Sequence, residues 1–309
     1  MSDTSPTDIA TEAEPAPRPA ASPLRMAVRD FMSSWLAVLG LVVVVIIVLA
    51  AVFAPWITPQ NPYDLTQLDI MDNNLPPGTE SWSGMVYHLG TDNQGRDMLS
   101  AIIYGLRMSL IVAGSATLIA LSIGMAMGIM AAYFGGRIDT IIMRVVDLQL
   151  SFPSILVALI LLAVLGKGVD KVVIALVIVQ WAYYARTVRG TALVERQRDY
   201  IAAARGLGLG HGRVMFGHLL PNCLPPLIVV ATVQVAQAIA LEATLSFLGV
   251  GVPITEPSLG LLISNGYSYM LSGVYWVSVF PGVALLITIV AINLVGDQLR
   301  DVLNPRLRR

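Results

Sequence analysis

The chain has 309 residues, of which 56% are hydrophobic and 13% charged, with a mean hydropathy of +0.72. Soluble domains carry roughly 25% charged residues, so this composition points away from a soluble globular fold and towards a polytopic helical membrane protein. The formal net charge of −1 says nothing about partners by itself, but the basic stripe that a nucleic-acid backbone would need is missing. The single cysteine, Cys223, excludes an intrachain disulfide and a cysteine-rich metal site.

Residues 1–23 are rich in Pro, Ala, Thr and acidic side chains without apolar periodicity, the pattern of a disordered tail. They begin too acidic, and lead into too long an apolar run, for a secretory signal. Residues 24–34 interleave Arg25, Arg29 and Asp30 with Leu24, Met26, Val28 and Phe31, which predicts a short amphipathic stretch on the membrane surface. A first span covers 35–53, with Trp35 and Trp56 at its two interfaces. The polar, proline-containing segment 57–100 reads as a large external loop.

A second span is expected over 104–134. At 1.5 Å per residue, about 28 of these residues extend ~42 Å. That exceeds a hydrocarbon core of ~30 Å, so this helix must tilt or protrude. It carries a small residue at every fourth position, Ala116, Ala120, Gly124, Gly128 and Ala132. Such a stripe either admits a particular partner helix closely or reflects ordinary packing. Further spans are expected over 145–165, which contains Pro153, then over 172–184, 224–250 and 275–295. The fold class is therefore all-α, a six-helix membrane bundle. Its parts are the tail 1–23, an amphipathic segment with the first span and external loop (24–103), a five-helix core (104–298) and a C-terminal tail (299–309).

Orientation is set by the basic residues flanking the spans. Arg18, Arg25, Arg29, Arg137, Arg144, Arg186, Arg189, Arg196, Arg198, Arg205, Arg213 and the arginines of the C-terminal tail fall on one side, against Arg96, Arg107, Lys167 and Lys171 on the other. Both termini are thus expected in the cytoplasm.

The fourth and fifth spans are joined by a loop of roughly 35 residues, far longer than a connector needs. It contains Asp199-Tyr200-Ile201-Ala202-Ala203-Ala204-Arg205-Gly206-Leu207-Gly208 and ends on Leu219-Leu220-Pro221-Asn222. Good helix formers predict one helix over about 192–207. Gly206, Gly208, Gly210 and Gly212 would end it and turn the chain back, with a positive φ expected at Gly208. This segment resembles the EAA loop of type I ABC importer permeases, with Ala203, Ala204, Gly208, Leu220 and Pro221 at the family's spacings. Ala202 replaces the usual Glu and His218 the usual Ile. The resemblance implies that Ala202, Ala203, Ala204, Arg205, Gly208, Leu220 and Pro221 couple the permease to cytoplasmic ATPases.

Three more segments are similar to the C-type permeases of the dipeptide/oligopeptide and nickel systems. They are His88 to Asp97 with Tyr104 to Leu110, Ser246-Phe247-Leu248-Gly249-Val250-Gly251, and Asn293 to Pro305. In the last, Gln298 and Asn304 stand where the family has Gly and Asp. This resemblance implies an inner-membrane permease working beside a homologous second permease, two ATP-binding subunits and an external substrate-binding protein. Asp92, Gly95, Arg96 and Asp97 would face that binding protein. Peptides lead as substrate, with nickel complexes or glutathione as alternatives.

The chain has no Gly-x-x-x-x-Gly-Lys-Ser/Thr loop, so no enzymatic activity and no cofactor of its own are expected; ATP belongs to partner subunits. His88, His211 and His218 lack metal-ligand spacing, and Asp92-Asn93-Gln94-Gly95 lacks the ligand alternation of a calcium loop. In the fifth span Gln234, Gln237, Glu242 and Thr244 fall within an arc of about 160°. Polar groups in a bilayer turn from lipid, so this arc either lines a translocation path or bonds helices together. A secondary transporter driven by an ion gradient is the rival class. It predicts inverted repeats and broken helices near the midplane, and would leave the long loop unexplained.

Overall fold

A computed structural model describes residues 23–81 and 84–303. The expected tail 1–23 lies outside the described residues except for Pro23, as does the C-terminal tail beyond Leu303. Pro23–Met32 form α1, an amphipathic helix where one was expected, and Ser34 caps α2 (Trp35–Val52) by accepting the Ala37 N–H. Most of α2 presents Val, Ile and Leu outwards, as lipid contact requires. It meets the bundle through Gly40, where a Cβ would stand 2.9 Å from Leu294 Cβ.

After a short helix α3 (Ala54–Ile57), residues 58–81 and 84–97 form a cap containing a hairpin of two-residue strands, β1 (Thr79–Glu80) and β2 (Val86–Tyr87). Buried Asp72 organises it, accepting hydrogen bonds from Ser81 Oγ (2.5 Å) and Tyr87 Oη (2.9 Å). Thr91 Oγ1 donates to Asp72 O (2.5 Å), and Trp276 Nε1 donates to Thr91 O (3.1 Å), which ties the cap to the last helix. The Tyr87 hydroxyl is pushed up to about 12, chiefly by burial and then by its bond to Asp72.

The central rod is α4 (Met98–Phe134), 37 residues and about 55 Å long. It begins six residues earlier than the hydropathy implied because Asp97 caps it, accepting from Ser100 N (2.8 Å) and Ser100 Oγ (2.6 Å). Its small-residue stripe is buried and serves packing within the chain. Gly124 and Gly128 lie against Tyr184, Ala185 and Val188 of α7 (Val169–Glu195).

The expected third span is two helices, α5 (Gly136–Leu150) and α6 (Ser154–Leu165), bent by 92°. Pro153 lacks the N–H that would continue the ladder and disfavours a helical Phe152. Gln149 fixes the bend, accepting from Trp181 Nε1 (2.8 Å) and donating to Ile178 O. Asp147 pairs with Arg186 of α7, and Asp139 pairs with Arg189 (2.5 Å). These charged partners explain why α7 continues eleven residues past the expected end at 184.

A π-helical stretch, Arg213–Leu219, leads into α9 (Leu220–Phe247). Between α9 and α11 (Trp276–Leu303) the chain forms α10 (Leu259–Tyr267), which hydropathy did not reveal. It packs through Gly260, where a Cβ would meet Ala243 O at 2.1 Å. Among the described residues five helices are long and apolar enough to cross a membrane, or six with the bent pair taken as one.

Candidate functional site

The loop between α7 and α9 carries the first site. The single helix expected over 192–207 is split: α7 stops at Glu195, residues 196–198 turn, and α8 occupies Asp199–Gly206. The break lies at Arg198, whose ψ of 149° is extended. On α8, Ile201 and Ala204 are buried in a cluster with Val214 and Leu219. Ala202, Ala203 and Arg205 face outwards. Ala204 therefore anchors the helix while Ala202 and Ala203 remain free to meet a partner. Gly208 has φ +73°, the chain reversal expected there, and Leu209 N returns to Ala204 O at 3.3 Å. This reversal throws Leu207 outwards with 81% of its surface exposed, an apolar side chain that the small-residue pattern gave no reason to single out. Leu220 is half-buried and Pro221 exposed in the first turn of α9.

The polar arc of α9 divides in two. Glu242 is fully buried and accepts from Ser109 Oγ of α4 (2.8 Å) and from Ser246 Oγ (2.8 Å), so it bonds helices together. Thr244 is exposed, its hydroxyl returned to Ala240 O (2.7 Å). Gln234 and Gln237 instead line a groove of about 970 Å³ between α7, α9 and α11, together with Tyr183, Thr187, Asn222 and Arg300. Gln180 Nε2 of α7 donates to Gln234 O (2.9 Å) at its wall.

The segment 92–97 is corrected by its burial. Asp92, Arg96 and Asp97 expose 2% or less of their surface, and Gly95 is buried, so none presents a surface to an external protein. Their work is internal. Asp92 Oδ1 accepts from Gln94 N (2.8 Å) and Arg96 N (3.0 Å), and its Oδ2 lies 3.4 Å from Arg96 Nε. Burial raises the Asp92 carboxyl above its ordinary value, with Arg96 pulling the other way. Gly95 has φ +74° and sits where a Cβ would stand 2.1 Å from Asp69 O. Asp97 N donates to Gln60 Oε1 (2.6 Å) while its carboxylate caps α4. Among the side chains this end does expose are the apolar Ile70 and Met71 on the cap and Leu271 beside α11.

A bundle of long apolar helices with a short helix facing outwards at one end and a groove between its spans has the architecture of a transmembrane permease. The sequence matches the family described as binding-protein-dependent transport system inner membrane component over residues 124–309, and the N-terminal TM domain of oligopeptide transport permease C over residues 22–77. The chain belongs to the binding-protein-dependent transport system inner membrane component family, and is the permease subunit of an ABC importer. It is 42% identical over 288 residues to a putative peptide transport system permease of Brucella suis, covering 93% of each chain. It is 42% identical to the dipeptide transport system permease protein DppC of Escherichia coli K12, over 88% of this chain and 90% of that one. The di/tripeptide transport system permease protein DppC of Pseudomonas aeruginosa is 38% identical over 93% of each chain. Among solved structures, an inward-facing conformation of the MetNI methionine ABC transporter aligns with a TM-score of 0.54 and 21% identity. That alignment covers 67% of this chain and 98% of that one, a likeness of fold.

Proposed function

We propose that the chain forms half of the translocation path of an ATP-driven importer of dipeptides and short oligopeptides, and that α8 is its coupling element. The observation that carries this is the arrangement of α8. Ile201 and Ala204 pin the helix to the bundle while Ala202, Ala203 and Leu207 stand outwards. Two small residues and one exposed leucine suit insertion into a groove of another protein, since small side chains permit close approach and a single apolar knob gives most of the burial. That protein is a cytoplasmic ATPase, one of two. A homologous permease would cover the α7–α9–α11 groove, and an external binding protein would meet the cap where Ile70 and Met71 are exposed. Both termini then lie in the cytoplasm of a multi-pass inner-membrane protein, in keeping with the arginine distribution. The peptide substrate rests on what the relatives are called, and the amide side chains of Gln234, Gln237 and Asn222 suit it, because they can pair with a peptide backbone whatever its side chains.

The test is uptake of labelled dipeptide by vesicles holding the complete transporter. Uptake requiring both internal ATP and the external binding protein is the expected result. Accumulation driven by an ion gradient without ATP would contradict the proposal.

A further inference from the structure

The C-terminal end of α4 is held at three places by the loop that carries α8, and the three holding residues lie before, within and after that helix. Before it, the Arg196 guanidinium donates to Ala132 O, one of the last carbonyls of α4, where a cation also complements the helix dipole. Within it, Arg205 lies over the Tyr133 ring, its Cζ 4.8 Å from the ring centroid. After it, His211 Nδ1 is 2.8 Å from Tyr133 Oη, and its ring meets those of Tyr133 and Phe134 edge-on or tilted at 5.6 and 6.1 Å. Tyr133 is buried to 9% exposure although it stands one residue from the end of its helix. Nothing in the coupling motif itself requires this ring.

The other end of α4 is as firmly held. Asp97 caps it, and Met98 and Ala101 are fully buried in a cluster with Leu259, Leu262 and Trp276. One unbroken helix therefore joins the loop to the cap at the opposite end of the molecule. A helix that is continuously hydrogen-bonded and close-packed against α7 moves as a unit, without absorbing displacement along its length.

We propose that Tyr133, gripped by His211 and Arg205, is the joint that turns displacement of α8 into movement of α4 and hence of the distal cap. The inference rests on α8 being the docking helix, and goes beyond it by naming the residue that receives the motion. Tyr133 is a positioning residue: it touches neither ATP nor substrate. Its hydroxyl fixes the loop at His211 and its ring face fixes it at Arg205, so α8 cannot pivot independently of α4.

The experiment uses the complete transporter in vesicles and reads dipeptide taken up per ATP hydrolysed. Tyr133→Phe keeps the ring and loses the bond to His211. Uptake per ATP should fall roughly two- to tenfold, the factor for a hydrogen bond of ordinary net worth, while the ATPases still co-purify and still hydrolyse ATP. His211→Ala should match it, His211→Gln should recover part of the ratio because its amide can still reach the hydroxyl, and Arg205→Gln should add to the loss. A purely structural role would lower hydrolysis and uptake in parallel and leave their ratio unchanged. An unchanged ratio in both Tyr133→Phe and His211→Ala overturns the joint. Ala203→Asp, measured alongside, separates the two ideas: if it releases the ATPases while the Tyr133 variants stay coupled, the docking helix stands and the joint falls.

Discussion

Two glycines let α4 and α7 come into close contact, and Gly128→Ala probes that contact most sharply. A Cβ at Gly128 would lie 2.5 Å from Ala185 O and 2.9 Å from Val188 Cβ. The first is about 1 Å inside ordinary contact. Because the obstructing atom is a main-chain carbonyl, no rotamer change in α7 relieves it, and the helices must separate along the seam. Overpacking of this kind costs about 1–3 kcal/mol. Gly124→Ala meets the same limit at Tyr184 Cβ (2.5 Å) and Trp181 O (2.6 Å). Gly114, on the same helix, has nothing within 4 Å of its added Cβ. Gly114→Ala should be neutral or stabilising by up to about 1 kcal/mol, through helix propensity. The assay is thermal unfolding of the purified protein in detergent, with Gly128→Leu as the severe member of the series. Gly128→Ala should melt several degrees below wild type, Gly128→Leu should fail to accumulate, and truncating Val188 should not rescue either. A Gly128→Leu protein that melts with wild type would refute the close-packed seam.

Glu242→Gln should assemble and transport near the wild-type rate, because a glutamine can still bond Ser109 and Ser246, whereas Glu242→Ala leaves two buried hydroxyls without their acceptor and should lower yield and thermal stability by about 2–5 kcal/mol. Between an unfolded aspartate's ordinary value near 4 and the raised value of Asp92, the folded cap holds a proton that the unfolded chain has lost. The cap should therefore weaken as pH rises through that window, a slope that Asp92→Asn removes in melts recorded from pH 4 upwards. For topology, cysteine at Met71, which is 78% exposed, should react with an impermeant thiol reagent from outside the cell and cysteine at Leu207 should not. The opposite labelling would invert the bundle. Asp72, in the same segment, is too buried to serve as the probe.

Much of this architecture is written in local chemistry. The apolar runs, the tryptophans flanking α2 and the arginines at one end locate the spans, and the Gly208 reversal is set by the glycine-rich turn after α8. What the sequence conceals depends on distant partners. The bend at Pro153 is stabilised by Gln149 reaching α7, and α7 is prolonged by Arg186 and Arg189 meeting acids on α5. The family resemblance implied a surface at 92–97, because a matching motif cannot tell an exposed charge from one buried beside its counter-ion. Likewise Glu242 and Gln237 share an arc by helical periodicity, yet Ser109, more than 130 residues earlier, claims the first for the bundle's interior.

The claim on which the rest depends is that α8 seats the ATPases, and Ala203→Asp in the complete transporter tests it most directly. Ala203 is exposed on α8, so an aspartate there leaves the fold of this chain intact but places bulk and an unpaired charge in a close contact. Gly208→Val is the independent companion, since a β-branched residue at φ +73° is strained by about 1–3 kcal/mol and must move Leu207. Both variants should insert and pair with the second permease. Each should lose the ATPases on purification, or retain them with hydrolysis no longer driving uptake. Full retention of the ATPases together with full ATP-driven uptake in both variants would contradict the account.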